Sequence, residues 1–295
     1  MQYNGPIVTQ KIAKTTKRIK SYAEAYLEPE NTIKDVLHQL HQKHIDALYQ
    51  KSRSRFYDYV ILSYDYCRLG DIQQVVFHDK ARCKELLFCA AATHWIVCQY
   101  FEPNKPMTPS HNWSKVNFRS MAFFEASIVA DADELACKLG KYLFTTERDT
   151  IPYDAWEVYR TLVLLYGGQD EDAIQACTTV KSKSKSKAML LMTDVYEALL
   201  EKDNQHFYDA LIASIRLNRR DPNLIGWLDT WAIAMGKIAV KRGFEVPIDT
   251  EDCPQCLIQP EHCDYSGLEI PAPIEGFPWE QKKGLFRFLK NPFRN

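Results

Sequence analysis

Amphipathic helical patterns punctuated by acidic residues constrain this chain more than any other feature. Ile33, Val36, Leu37, Leu40, His44, Ala47 and Leu48 mark one face of a helix, because steps of three and four follow the 3.6-residue turn. An apolar and aromatic run from Phe56 to Cys67 ends at Arg68-Leu69-Gly70, where the glycine reads as a C-cap and Asp71 as the N-cap of the next helix. Further helices are predicted over about 119–130, 132–145, 153–166, 171–180, 188–201 and 223–242. Another follows Asp203 on Phe207, Ala210, Leu211, Ser214 and Ile215. The predicted caps Asp131, Asp170 and Asp203 lie 39 and 33 residues apart, the period of stacked helical hairpins.

These patterns predict an all-α chain of stacked antiparallel helical hairpins, an α-solenoid or TPR-like bundle, with little or no sheet. One helical domain is expected over 1–243, with a sub-boundary near 103–118 where Pro103, Pro106 and Pro109 interrupt the pattern. Seven of the fourteen prolines fall in the final 49 residues, which excludes long helices there. Residues 244–295 therefore read as an extended, irregular Pro-rich tail docked on the body, ending in a short basic amphipathic turn with Trp279, Leu285, Phe286, Phe288 and Leu289.

Composition limits the function classes. With 46% hydrophobic residues in 295, the chain can bury a substantial core, which rules out intrinsic disorder and a fibrous protein. Lys and Arg total 37 against 38 Asp and Glu, a net charge of −1 that argues against nucleic acid as the main ligand. Glycines number only 11, and no dinucleotide, P-loop, zinc-protease or nucleophile-elbow motif occurs. No catalytic residue and no cofactor is expected. The nine cysteines are odd in number and scattered through apolar segments (Cys67, Cys89, Cys98, Cys137, Cys177), as in a reducing compartment. Neither a signal-peptide core nor a membrane-length apolar stretch is read, so a cytoplasmic protein is expected.

Several groups invite chemistry. Cys253, Cys256, His262 and Cys263 supply ligand types for a Cys₃His zinc site, but all four crowd into eleven residues, without the usual loop between two pairs. The Cys-x-x-Cys lacks the strand and helix N-terminus that would make it a redox motif. His38, His41 and His44 do not converge on one ligand point, and read as core or boundary residues. Lys181-Ser-Lys-Ser-Lys-Ser-Lys187 reads as a solvated loop joining two helices, with contact to phosphate or an acidic protein as its alternative. Tyr57, Tyr59, Tyr64 and Tyr66 sit at helical spacing and read as core or boundary residues before base-stacking ones.

Charge is unevenly spread. Residues 125–172 hold eleven acids and four bases, while residues 1–55 hold ten bases and five acids. Caps of successive hairpins should emerge on one side of a helical stack. Asp131, Asp133, Glu134, Asp149, Asp154, Asp170, Glu171 and Asp172 are therefore expected to form an acidic ridge suited to a basic protein partner.

The segment Trp227-Leu-Asp-Thr-Trp-Ala-Ile-Ala-Met-Gly-Lys-Ile-Ala-Val-Lys-Arg-Gly-Phe-Glu-Val-Pro247, with its small-residue-rich helix and terminal Arg-Gly, resembles the C-terminal part of family 49 immunity proteins of bacterial polymorphic toxin systems. The hairpins carrying Phe123-Phe-Glu-Ala-Ser-Ile-Val-Ala-Asp131 and Ala155-Trp-Glu-Val-Tyr-Arg-Thr-Leu162 are similar in style to that family's middle region. The resemblance covers about residues 119–258. It implies an all-α protein that binds a cognate toxin and blocks it, with no catalytic residue to carry over. The expected partner is a toxin with a basic surface, such as a cytoplasm-acting nuclease or nucleotide-consuming enzyme. Two other readings stand beside it: a helical-repeat adaptor engaging a peptide or protein without a toxin, and a zinc-binding protein using the C-terminal Cys/His cluster.

Overall fold

The computed structural model describes residues 55–100, 114–145, 153–218, 228–268 and 270. Among them the chain is all-α, with ten helices and no strand. In chain order these are α1 (Arg55–Phe77), α2 (Lys80–Tyr100), α3 (Ser114–Val129), α4 (Asp133–Thr145), α5 (Tyr153–Tyr166), α6 (Asp170–Lys183), α7 (Lys187–Leu200), α8 (Asn204–Asn218), α9 (Thr230–Lys241) and the single turn α10 (Gln255–Ile258). The expected helix over residues 33–48, its three histidines and the Pro-rich loop 103–109 lie outside the described residues.

Helices adjacent in sequence pack as neighbours: α1 on α2, α3 on α4, α5 on α6 and α7 on α8. A purely linear stack would stop there. Instead α9 returns across the molecule to pack against α3 and α5 as well as α8. Nine consecutive α9 residues, Trp231 to Ala239, are buried, so the helix runs through the protein rather than along its surface. A helix apolar on all faces loses least free energy when every face is covered. Asp229 caps its start through the Ala232 N–H (3.0 Å), and Trp231 donates its indole N–H to the buried Tyr196 hydroxyl (2.9 Å).

Two predicted boundaries move. Gly70 and Asp71 do not end a helix, because α1 passes straight through them. Gly70 is instead a close-approach point, where an added Cβ would lie 3.3 Å from both the Cys83 carbonyl and the Leu87 side chain. The reversal comes at His78, which has φ +54, and Asp79 caps α2 by accepting the Arg82 N–H at 3.0 Å. The Lys181–Lys187 run is not a seven-residue loop either, since α6 continues through Lys183 and α7 begins at Lys187. Lys181 is anchored between Asp194 (3.3 Å) and Glu197 of α7.

The repeated architecture lies in the turns. At Asp131, Gly168, Lys202 and Gly243 the backbone enters the left-handed region, with φ of 58, 70, 60 and 87. Each turn carries the same pair of hydrogen bonds. Ala132 N–H donates to Ser127 O and Asp131 N–H to Ile128 O, and the corresponding pairs recur around 168, 202 and 243. This is the Schellman C-cap, which satisfies carbonyls left open by a helix end. Of the three expected N-caps only Asp203 acts as one, accepting the His206 N–H at 2.9 Å. Asp131 sits two residues before its helix, in the left-handed position, and Asp170 is the first residue of α6.

After Gly243 the chain leaves as an irregular strap. Val246, Ile248, Leu257 and Ile258 are buried, and Ile258 meets the bare face of Gly236, where a Cβ would lie 3.0–3.3 Å from its side chain. Backbone bonds between Thr250 and Cys253 (3.1 Å each way) close a tight turn, and the Asp252 carbonyl accepts the Asp229 N–H at 2.7 Å. No helix among the described residues is long and apolar enough to cross a membrane.

A non-glycine residue in the left-handed region costs roughly 1–2 kcal/mol. Lys202 is exposed there with φ +60, so Lys202→Gly is expected to stabilise the protein by up to about 1 kcal/mol, read as a higher urea midpoint at unchanged slope.

Candidate functional site

The turn between α3 and α4 carries Asp131, and its left-handed backbone aims the carboxylate inward. One oxygen accepts from Lys84 of α2 at 2.6 Å, and the other from Lys237 of α9. Both lysines are buried, Lys84 with 2% and Lys237 with 0% of its surface exposed. Lys84 also donates to Glu261 of the strap at 2.9 Å, and Glu261 accepts from Lys80 with its other oxygen. The result is a chain of alternating charge: Lys80, Glu261, Lys84, Asp131, Lys237. Tyr265 closes over it, stacking on Phe88 with ring centroids 4.2 Å apart and donating its hydroxyl to the Ala130 carbonyl.

The two buried ammonium groups respond differently. Burial disfavours both. For Lys84 the hydrogen bonds to Asp131 and Glu261 outweigh that cost and its pKa rises. For Lys237 burial prevails, reinforced by repulsion from Lys84, and the pKa falls to about 8. Glu261 is pulled down to about 2 by its bonds to Lys80 and Lys84.

A second polar group lies at the other end of α9. Glu125 of α3 is buried and accepts the Thr230 hydroxyl at 2.9 Å. Burial pushes its pKa up to about 8, against the Thr230 hydrogen bond and with a further rise from Asp229.

The expected acidic ridge divides. Asp131 is not on the surface, because two buried cations pull it into the core. Asp133 accepts from Lys241 (2.7 Å) and from the Tyr166 hydroxyl (2.6 Å); burial opposes its ionisation, but these two donors hold its pKa below the ordinary value. Asp170 receives both terminal nitrogens of Arg242, at 3.2 and 2.8 Å, while the same guanidinium donates to the Leu165 carbonyl. Glu245 N–H donates to Asn204 at 3.2 Å. The starts of α4, α6 and α8 are therefore gathered around the C-terminal end of α9. Glu134, Glu171 and Asp172 are exposed on this rim, with Glu134 bonded to Lys138 one turn along α4. Asp149 lies outside the described residues, and Asp154 is placed only as part of α5.

The proposed zinc ligands do not come together. Cys253 is buried in the Thr250 turn, Cys256 lies on α10 and accepts from Gln74 at 3.5 Å, His262 is exposed, and Cys263 is half-buried near the lysine cluster. Among the described residues no group of three or more His, Cys, Asp or Glu is arranged to hold a metal ion.

Sequence reasoning overlooked Lys84, Lys237 and Glu261. The signal for Lys237 was present, as the one charge between Trp231 and Val240. A lone lysine in a helix apolar on every face needs a buried counter-ion. Comparison with known protein families, with curated proteins and with solved structures finds no match for this chain.

Removing one partner of a buried ion pair typically costs about 3–5 kcal/mol. Asp131→Gly relieves the same backbone strain as Lys202→Gly yet is expected to destabilise by about 3 kcal/mol or more in urea unfolding, because Lys237 loses its anion. Glu125 yields the pH dependence. Its folded pKa, about 8, lies above the ordinary 4.5, so the folded state holds the proton more tightly and stability falls as pH rises between those values. Lys237 acts in the next window: its folded pKa lies below 10.5, so stability recovers as pH rises from about 8 towards 10.5. Glu125→Gln is expected to flatten the fall between pH 5 and 8 and leave the later rise, in denaturation midpoints measured against pH.

Proposed function

We propose that this chain is an immunity protein that binds a cognate toxin and occludes its active cleft, with the toxin acting in the cytoplasm where the chain itself resides. The observation that carries this reading is the rim at the end of α9. Three helix starts, each following a left-handed turn or its equivalent, meet there, and Lys241 and Arg242 neutralise the inner acids Asp133 and Asp170. What faces outward is Glu171 and Asp172, with Glu134 paired to Lys138, and at the next turn Glu201 and Asp203 flank the exposed Lys202. A basic cleft, such as that of a nuclease, is complementary to such a surface, and complementary charge raises both association rate and selectivity. The resemblance of residues 119–258 to immunity proteins of polymorphic toxin systems points the same way. On this reading the buried charge chain is structural: it holds α2, the α3–α4 turn, α9 and the strap in one frame so that the rim is rigid before the partner arrives.

Co-expression of the chain with the product of the adjacent gene, followed by affinity measurement at two salt concentrations, tests this. Reversing charge at Glu134, Glu171 and Asp172 together is expected to weaken toxin affinity at least tenfold and to abolish protection in cells, with the helical fold retained and the unfolding midpoint only modestly lowered, because all three acids lie in first helical turns. Unaltered affinity in that triple variant would remove the rim from the interface.

A further inference from the structure

We infer that Lys80 and Lys84 form a binding site for a small oxyanion, carboxylate or phosphate, which Glu261 of the strap fills from within the same chain. The inference does not depend on toxin binding. It rests on how the charge chain is distributed over the fold. Lys80 and Lys84 stand one turn apart on α2, so both project from one side of that helix. Both donate to the same carboxylate, Lys80 to one oxygen of Glu261 and Lys84 to the other at 2.9 Å, the arrangement with which a pair of ammonium groups grips an oxyanion.

Three cations meet two anions in this chain. Asp131 is committed to both Lys84 and Lys237 and cannot neutralise the pair alone. The remaining demand for negative charge falls on Glu261. Every other member sits on a helix or in a hydrogen-bonded helix turn, whereas Glu261 lies in a segment without regular structure and is 39% exposed. Lys84 is therefore held in place by Asp131 with or without Glu261, and Lys80 stands one turn away on the same helix with 35% of its side chain exposed. The strap keeps its place by other means: Leu257 and Ile258 are buried against the body, and Tyr265 stacks on Phe88. Losing the Glu261 carboxylate vacates the cradle without undocking the strap. Lys80 and Lys84 hold the position that the carboxylate leaves, Asp131 stays on Lys84 with Lys237 on its other oxygen, and Tyr265 of the strap remains bonded to the Ala130 carbonyl.

The test is an anion titration on the full chain at constant ionic strength, comparing sodium phosphate and sodium acetate with sodium chloride. In E261A either anion is expected to raise the thermal midpoint by about 2–4 °C at concentrations well above its Kd. The wild type, whose cradle is filled, and the double variant K80M/E261A, whose cradle has lost one arm, should show no such rise. A rise with phosphate alone identifies a phosphate site, and a rise with acetate alone a site for a carboxylate. The Nζ chemical shift of Lys84, followed during the same titration, reads binding independently of stability and should move only in E261A. Equal responses in all three proteins, or a Lys84 signal that stays fixed in E261A, would overturn the inference.

Discussion

Asp131 between Lys84 and Lys237 is the contact on which the other parts of this molecule depend. Two ammonium groups with almost no exposed surface are tolerable only beside a carboxylate, and that carboxylate comes from a turn. The turn must adopt a left-handed backbone that a glycine would adopt more readily, and it does so with an aspartate. Strain, burial and charge are thus fixed together at one residue. The interaction also sets geometry, because α2 and α9 reach the α3–α4 turn from 47 and 106 residues away along the sequence.

Around this contact the helices follow a simple local rule. Each of the turns at Asp131, Gly168, Lys202 and Gly243 uses the same pair of backbone hydrogen bonds, so each of these helices ends in the same way. What prevents a linear stack is α9. Its nine consecutive buried residues require cover on all sides. The helix therefore lies across α3, α5 and α8, and the strap covers the Gly236 face left open. The same packing carries Lys241 and Arg242 to the helix starts at Asp133 and Asp170, which makes the rim a consequence of how α9 is buried.

Much of the helical framework was legible in the residues. The 3.6-residue pattern places α5 over 153–166 as observed, and Asp203 caps α8 as its position predicts. Gly70 and Asp71 misled because a glycine followed by an acid carries the same letters whether it ends a helix or admits a neighbour closely, and only the approach of Cys83 and Leu87 separates the two. The acidic ridge was legible in part. Glu134, Glu171 and Asp172 are exposed as their helix-start positions imply, while Asp131 turns inward for a reason located on α2 and α9.

Local chemistry in the sequence determined the all-α class, most helix spans and the crowding of acids at hairpin turns, because periodicity, capping and turn preference act over a few residues. Tertiary structure alone decided which of those acids face solvent, which lysines are buried, and that Glu261 reaches back to Lys80 and Lys84. Those outcomes depend on charges meeting across separations of 47 to 181 residues. Nothing in the spacing of residues along the chain encodes such a meeting until the apolar faces have packed and brought the charges out of water together.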